Sequence, residues 1–308
     1  MMTSRSPALS RVLARIRLAG WLILGGGLLL HLTIRDRVDY VATVFYALPL
    51  PVLAGLSLLL AAWRRWRRAA LVLAAGITAG WISRSWCAHQ PPPAAAGSHE
   101  FRALYWNMGR PAGPSADLID LVKRLQPDVA GCGEPGREFM QEGAAYEQAL
   151  PGYTCHLMPR GLILLSRWPV RMRGRGRLDD TGAFAFFDVS APQGLVRLVL
   201  VDVWADPLLP RHRSLNEALS YAGGDARCIV MGDFNTPAES VWFEPYRRAR
   251  LQDAFETAGR GFRETWFWRL PVLSLDHIWA GKDWRVLEAQ KIHRWSSDHA
   301  AIFVRLQP

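Results

Sequence analysis

Apolar residues are concentrated near the N-terminus, and this distribution constrains the fold more than any other feature. Three apolar runs with almost no acidic residue lie at 19–34, 40–63 and 69–83. A helix that crosses a bilayer needs about 20 apolar residues, with about 17 as the usual lower limit. Interfacial Trp and Arg residues would complete the length of the first and third runs. The sequence therefore predicts an N-terminal membrane region at 1–86 with three transmembrane helices.

Arginines flank these runs and predict their orientation. Residues 1–97 carry 11 arginines and two acids, a net charge of +9, whereas residues 98–308 carry 26 basic and 25 acidic residues, a net charge of +1. Arginines precede the first run and separate the second from the third, which places both segments in the cytoplasm. Three spans would then deliver the rest of the chain to the outer side of the cell (inner) membrane. If the third run does not span, this orientation inverts.

The remainder of the chain divides into a linker and one domain. Residues 87–100 are rich in Pro and Ala and predict a semi-rigid linker. Residues 101–308 have ordinary soluble α/β composition, and their near-neutral charge gives no support to a protein that coats DNA. The four cysteines show no zinc-binding spacing.

Short apolar strands and one helix can be predicted within residues 101–308. The helical spacing of apolar residues over Ala116–Leu125 ends at Gln126-Pro127. Acids, amides and an imidazole follow or interrupt the strands, and loops at one sheet edge can bring such side chains together. The seven residues are Asn107, Glu134, Asp233, Asn235, Asp276, Asp298 and His299.

This set of side chains suits the hydrolysis of a phosphate ester. Carboxylates without a cysteine cluster favour a hard, oxygen-preferring cation such as Mg²⁺ or Mn²⁺. Such an ion polarises a phosphoryl oxygen, while a further carboxylate can activate water. The sequence lacks a serine nucleophile elbow and a Walker A loop.

The motifs around these residues resemble, in order, those of the endonuclease/exonuclease/phosphatase superfamily. They are Tyr105-Trp106-Asn107, Asp128-Val129 with Glu134, Ile163-Leu164-Leu165-Ser166-Arg167, Gly232-Asp233-Phe234-Asn235, Leu275-Asp276-His277-Ile278 and Ser297-Asp298-His299. The resemblance implies a DNase I-like four-layer αββα sandwich, here preceded by transmembrane helices. The N-terminal membrane region is similar to that of bacterial membrane-tethered members of the VanJ-like type.

The resemblance also implies a metal site. Glu134 would be the principal ligand, Asp298 a further or water-mediated ligand, and Asn107 would orient the metal-bound phosphate. The expected cofactor is Mg²⁺ or Mn²⁺.

Catalytic roles follow from the same resemblance. Asp233 would position or activate the attacking water, and Asn235, like Asn107, would orient phosphate and water. Asp276 would hold the His299 ring against the scissile phosphate.

One position departs from the family pattern. Where members often carry a histidine after a strand, this chain has Trp204, and an indole cannot carry a proton to a leaving group. His212 is the nearest imidazole, and Asp202 is interpreted as a capping or turn residue, with a role at the edge of the site as the alternative. The segment Trp266-Phe267-Trp268 is interpreted as core packing, with a substrate-facing or membrane-facing wall as the alternative.

These observations predict a membrane-anchored, metal-dependent phosphoesterase acting on a phosphate ester or anhydride. The expected partners are the lipid bilayer and an extracytoplasmic phosphorylated substrate, for example one linked to a lipid. Two alternatives stay open. One is a tethered nuclease acting on external nucleic acid, which is less favoured, and the other is a non-catalytic binding module on the same fold.

Overall fold

The apolar N-terminal region folds into four helices in the computed structural model, which describes residues 7–89, 100–179 and 181–308. The chain divides into two units, Met1–Arg84 and Ser85–Pro308. The helices of the first part of the chain are α1 (Pro7–Leu32), α2 (Asp39–Ala47), α3 (Leu50–Leu60) and α4 (Arg67–Ser85).

The first predicted span agrees with this structure better than the other two. By length and composition α1 could cross a membrane, although a signal sequence near an N-terminus meets the same criterion. The second run is broken at Pro49 into α2 and α3, which qualify only as a pair bent by 61°. Within the described residues, one helix, or two if the bent pair is one span, meets the criterion. The prediction of three transmembrane helices is therefore not supported.

Two features of the sequence account for this difference: a proline inside the second run and arginines at both ends of the third. Pro49 has no N–H to continue the hydrogen-bonded ladder of α2, so the chain turns there and a new helix begins. α4 includes Arg67, Arg68 and Arg84 at its ends, which leaves a short apolar stretch between charges. α1 begins at Pro7 instead of residue 19, because the basic segment before the first run is also helical.

The second unit contains the strands and the remaining helices. In chain order they are β1 (Trp86–Ala88), β2 (Phe101–Asn107), α5 (Ala116–Leu125), β3 (Val129–Gly133), α6 (Gly143–Ala149), β4 (Thr154–Met158), β5 (Leu162–Ser166), β6 (Val170–Leu178), β7 (Gly182–Ala191), β8 (Gly194–Asp202), α7 (Arg211–Ala222), β9 (Cys228–Asp233), α8 (Glu244–Arg248), β10 (Gln252–Asp253), α9 (Ala254–Ala258), β11 (Arg260–Phe262), β12 (Asp276–Ala280), β13 (Arg285–Ile292) and β14 (Ala301–Gln307). Short 3₁₀ helices lie at Phe139–Gln141 and Val241–Phe243.

Two six-stranded sheets face each other. Their strand orders are β13-β14-β2-β3-β5-β4 and β10-β12-β9-β8-β7-β6. Each is mainly antiparallel, with one parallel pair near its centre, β2 with β3 and β8 with β9. Apolar side chains of both sheets, including Tyr105, Leu164, Leu200 and Met231, form the buried layer between them.

Helices cover the outer faces and complete four layers. α5 begins at Ser115, whose hydroxyl accepts the Leu118 N–H, and it buries Leu118, Leu121 and Val122 against the first sheet. Leu215 and Ala218 of α7 pack on the second sheet. The predicted DNase I-like αββα sandwich is therefore confirmed, and α5 has the bounds that its apolar spacing predicted.

The segment that joins the two units differs in part from the expected linker. β1 pairs with β11, and the His89 N–H donates to Gly259 O, so residues 86–89 belong to the folded second unit. Residues 90–99, where most of the linker was predicted, lie outside the described residues. All four cysteines are free.

Candidate active site

Strand ends from both sheets meet at one edge of the sandwich. In the first sheet Asn107 lies in register with Gly133, at the ends of the parallel strands β2 and β3. In the second sheet Asp233 at the end of β9 lies between Asp202 of β8 and Asp276 of β12. The topology therefore collects four of these polar side chains from strands that are distant in sequence.

Asn107 connects the two sheets. Its Nδ2 donates to Asp233 Oδ2 over 2.9 Å, and its Oδ1 accepts the Gly109 N–H over 3.1 Å. Asn107 is only 1% exposed, so water does not compete for these bonds. The amide therefore holds the Asp233 carboxylate in one orientation.

Asp276 and His299 form a buried ion pair beside Asp233. His299 Nδ1 lies 2.8 Å from Asp276 Oδ2 and 3.8 Å from Asp233 Oδ2. Burial lowers the pKa of His299, but the Asp276 and Asp233 carboxylates outweigh it and raise this pKa to about 10. His299 therefore carries a proton at neutral pH, with Nδ1 donating to Asp276 and Nε2 left for another partner.

Asp233 is placed to accept a proton. Burial, followed by repulsion from Asp276, raises the pKa of Asp233 to about 7, although His299 and Asn107 oppose this. The Asn235 N–H donates to Asp233 Oδ1 over 2.8 Å, and Asn235 Nδ2 donates to Val203 O over 2.8 Å. A carboxyl group with a pKa near neutrality is suited to general-base catalysis.

Glu134 and Asp298, the predicted metal ligands, have different surroundings. Glu134 Oε1 lies 3.1 Å from a guanidinium nitrogen of Arg110 at the mouth of a pocket. Asp298 Oδ2 accepts the indole N–H of Trp266 over 2.8 Å, and its carbonyl accepts the Trp268 N–H over 2.7 Å. Their role as ligands stays a prediction.

A different trio has the geometry of a candidate metal site. Among the described residues, ligand atoms of Asp233, Asp276 and His299 lie within 4.8 Å of one another. Asp276 Oδ1 is buried without a hydrogen-bond partner, so an oxygen ligand is available for a hard cation. His299 cannot bind a cation through Nδ1 while that atom carries a proton to Asp276. The oxygens of this edge therefore fit Mg²⁺ or Mn²⁺ better than the imidazole does.

Sequence reasoning missed three pocket residues. A cavity of about 240 Å³ is lined by Glu134 and Asn235 and also by Arg110, Arg160 and Asp202. Burial, Asp233 and Glu134 raise the pKa of Asp202 well above its ordinary value. The structure therefore favours the site-edge alternative for Asp202 over the capping or turn role that the sequence favoured. Its position at the end of a buried strand, like that of Asp233, was the available signal.

Trp204 forms part of the same pocket wall. Its side chain is exposed, and its carbonyl accepts a hydrogen bond from Arg211. His212, the nearest imidazole in sequence, instead packs on Trp242 with ring centroids 4.9 Å apart. His277 follows Asp276 in β12, so its side chain lies on the other face of the strand, where it hydrogen-bonds Asp253 over 2.9 Å.

The profile of the endonuclease/exonuclease/phosphatase family matches residues 104–299, more than half of the chain. This match extends from β2 to His299 and includes every residue of the site. The chain belongs to the endonuclease/exonuclease/phosphatase family. Members generally hydrolyse phosphoester bonds, typically with divalent metals.

Solved structures of the family share this fold. A Bacteroides thetaiotaomicron family protein is 14% identical with a TM-score of 0.53, covering 68% of this chain and 98% of its own. The mannosyl-6-phosphatase of the same species is 15% identical with a TM-score of 0.51, and the match covers 67% of this chain and 99% of that protein. The catalytic domain of human nocturnin is 16% identical with a TM-score of 0.51, and the match covers 68% of this chain and 94% of that domain. These identities establish the fold alone, and no curated protein matches the sequence.

Proposed function

We propose that the chain is a divalent-metal-dependent phosphoesterase, held at a membrane by its apolar N-terminal region. One observation carries this proposal: the Asn107–Asp233 and Asp276–His299 pairs meet at the sandwich edge next to the Glu134 pocket. A proton acceptor, a buried cationic donor and free carboxylate oxygens are the groups that phosphoester hydrolysis requires.

The metal would be held by oxygen ligands. Glu134 is the principal ligand in this proposal, with Asn107 and Asp298 contributing directly or through water. A bound Mg²⁺ or Mn²⁺ would polarise the phosphoryl group and offset its developing negative charge. The Arg110 guanidinium beside Glu134 limits the negative charge that an incoming phosphate meets.

Protein side chains supply the groups for proton transfer and for binding the phosphoryl oxygens. Asp233 takes a proton from the attacking water while the water oxygen bonds to phosphorus. Asn235 restrains Asp233 through its backbone N–H, and protonated His299 donates from Nε2 to a phosphoryl oxygen. The P–O bond to the leaving group breaks, and because Trp204 has no acidic proton, the leaving oxygen takes its proton from water.

The substrate that we propose is an extracytoplasmic phosphate ester or anhydride, in particular one linked to a lipid. An apolar helix able to cross a membrane and the nearly neutral charge of residues 98–308 support this choice. External nucleic acid is the second candidate, because β6 presents exposed Arg171, Arg175 and Arg177 along a sheet edge. Nuclease activity would fall steeply as salt weakens phosphate contacts.

A substrate panel tests the proposal. The full chain in detergent is assayed with Mg²⁺, Mn²⁺ or a chelator on lipid phosphates, lipid pyrophosphates, DNA and RNA. We expect metal-dependent hydrolysis that the Asp233→Asn variant lowers by about 10³-fold, since it removes the general base. Hydrolysis of none of these by the wild type, with a partner still bound, would favour the non-catalytic module.

A further inference from the structure

Large apolar side chains are exposed around the active-site edge. Three of them, Trp268 (40%), Leu270 (64%) and Trp295 (71%), lie in the segments that precede β12 and β14. Two more, Trp204 (56%) and Leu208 (70%), lie in the segment that follows β8. We call these five residues the aromatic rim. Because β8 ends and β12 and β14 begin at the site edge, the rim borders the catalytic residues on two sides.

The rim is tied directly to the catalytic segment. The Trp268 N–H donates to Asp298 O over 2.7 Å, and the neighbouring Trp266 donates its indole N–H to the Asp298 carboxylate. The Arg269 guanidinium lies 4.7 Å from the centre of the Trp295 ring. The residue next to His299 therefore positions the loop that carries Trp268 and Leu270. The interpretation of this loop as core packing is wrong for Trp268.

Four other large apolar side chains are exposed among the described residues of this unit, and they lie in four different elements: Trp86 in β1, Met140, Met172 in β6 and Leu195. Leu195 lies at the beginning of β8, which is the opposite edge of the sandwich, and Met140 lies in the 3₁₀ helix between β3 and α6. Scattered residues of this kind are ordinary on protein surfaces, whereas a group around a functional site marks an interaction surface.

We propose that the aromatic rim inserts into the headgroup region of a lipid bilayer, so that the site takes a phosphate presented by that surface. Trp side chains prefer this depth because the indole combines an apolar body with one N–H donor. Arg269 beside Trp295 and Arg160 in the pocket complement anionic headgroups. The apolar helix of the same chain makes a bilayer the available partner. The docking rests on the membrane attachment in the proposed function but not on the hydrolytic activity, whereas the choice of substrate rests on both.

Hydrogen exchange tests the docking without any assay of activity. The full chain is compared in amphipol and in nanodiscs of phosphatidylcholine and phosphatidylglycerol. We expect exchange in 205–209, 267–270 and 294–296 to be slower in nanodiscs by about tenfold, the effect of burying one or two large apolar side chains. Residues 193–196, at the opposite edge, should exchange equally in both. Equal exchange of the rim segments would overturn the proposal.

Matched variants locate the effect. The Leu270→Ser/Trp295→Ser pair should abolish the nanodisc protection of 205–209, whereas the Met140→Ser/Leu195→Ser pair, which removes exposed apolar side chains outside the rim, should retain it. Protection lost equally in both pairs would overturn the assignment to the rim. Slower exchange of the rim segments in amphipol at higher protein concentration would also overturn the proposal, because a second copy of the chain would then cover the rim.

Activity separates docking from chemistry. Dihexanoyl phosphatidic acid dissolves as monomers, and dioleoyl phosphatidic acid is presented in vesicles. The rim pair should lower hydrolysis of the vesicle substrate by about tenfold and leave the monomeric substrate unchanged. Equal loss on both would overturn a docking role. If the wild type hydrolyses neither substrate, the proposed lipid substrate fails while the exchange result still decides the docking.

Discussion

The charge of His299 depends on two neighbouring carboxylates, of which Asp276 has the larger effect. The pKa of His299 is raised to about 10 mainly because the Asp276 and Asp233 carboxylates lie beside it in a site that excludes water. Asp276 in turn raises the pKa of Asp233 to about 7, after burial itself. Asp276 therefore contributes to the pKa values of both the acid and the base in the proposed mechanism.

Removing the charge of Asp276 should move the whole pH profile to lower pH. In the wild type, activity requires ionised Asp233 and protonated His299, so kcat/KM should rise as pH passes about 7 and fall as it passes about 10. A bound metal cation would shift the acidic limb of this pH profile to lower pH. In Asp276→Asn both pKa values fall, and kcat at pH 8 should decrease by about 10²-fold or more.

Initial rates between pH 5 and 10.5 measure this profile. Asp225→Asn makes the same chemical change at an exposed position and should keep both limbs. An alkaline limb that stays in place in Asp276→Asn would show that Asp276 does not control His299.

Metal affinity should distinguish Glu134 from the Asp233–Asp276–His299 trio. If Glu134 is the principal ligand, Glu134→Gln should weaken Mn²⁺ binding by about 100-fold, and Asp276→Asn should change it by less than about threefold. Paramagnetic resonance of free Mn²⁺ measures both, with Glu138→Gln at an exposed neighbouring position as the control. A larger loss in Asp276→Asn would assign the ion to the trio instead.

At the scale of residues, the sequence predicted most of the site but not Asp202 or Arg160. Asp233, Asp276 and His299 lie in distinctive motifs, so the sequence could predict that they lie together, and their roles stay predictions. Asp202 ends a strand without such a motif, and Arg160 lies in the turn between β4 and β5. Only the fold shows that Asp202 and Arg160 line the same pocket.

Among the elements, β9 has no room for a side chain at Gly232. A Cβ at Gly232 would lie 2.1 Å from Val201 O, a backbone atom of the parallel neighbour β8. This close approach keeps Asp202 and Asp233 on adjacent strand ends. Glycine is therefore required at this position by packing rather than by its backbone conformation.

Gly232→Ala should push β8 and β9 apart and affect both stability and catalysis. We expect a loss of about 2–3 kcal/mol in the free energy of unfolding, measured by urea titration in detergent, and a large loss of kcat. Gly113→Ala is the control, because a Cβ there meets no atom within 4 Å. Unchanged activity in Gly232→Ala would show that the strand ends need not stay in close register.

The buried His277–Asp253 pair stabilises the strands behind the site. Burial lowers the pKa of His277, but Asp253 outweighs it and raises this pKa; burial raises the pKa of Asp253, but His277 outweighs it and lowers that pKa. Stability from His277 is fully present below pH 6.5 and is lost as pH rises through its raised pKa. Stability from Asp253 is present above pH 3.8 and is lost as pH falls through its lowered pKa.

Asp253→Asn should therefore be most destabilising between about pH 4 and 6.5, by about 3 kcal/mol. Urea unfolding at several pH values measures this difference, and Asp283→Asn is an exposed control. A deficit that does not decline above pH 6.5 would show that His277 contributes no charge to the pair.

Elements were predictable where the pattern was local. α5 could be bounded from its apolar period and from Gln126-Pro127, and the central strands from short apolar runs. β1 and β11 have three residues each and carry no period, and they pair across more than 170 positions of the chain. Their existence depends on tertiary contacts that no local pattern contains.

For the whole molecule, the proposed membrane attachment leaves open on which side of the membrane Ser85–Pro308 would lie, and the number of crossings decides it. One crossing or three would place Ser85–Pro308 outside the cytoplasm, whereas α1 together with the bent α2–α3 pair would place it inside. Hydropathy revealed the apolar runs but not the break at Pro49, because an average over apolar residues does not register the N–H that proline lacks.

Reporter fusions after Trp86 distinguish these cases. We expect an alkaline phosphatase fusion to be active and a green fluorescent protein fusion to be dark, as for an extracytoplasmic domain. Fusions after Arg37 serve as the control for the first crossing. A fluorescent fusion after Trp86 would contradict the extracytoplasmic assignment.

The hydrogen bond from Asn107 to Asp233 has a consequence for biosynthesis. It joins opposite halves of the sandwich, and His299, the last member of the site to be translated, lies just before β14. Ribosome-bound chains that lack β14 cannot assemble the reaction centre, although their apolar helices have long since emerged. In the proposed function, the chain would thus reach a membrane inactive and become active only after β14 pairs with β2.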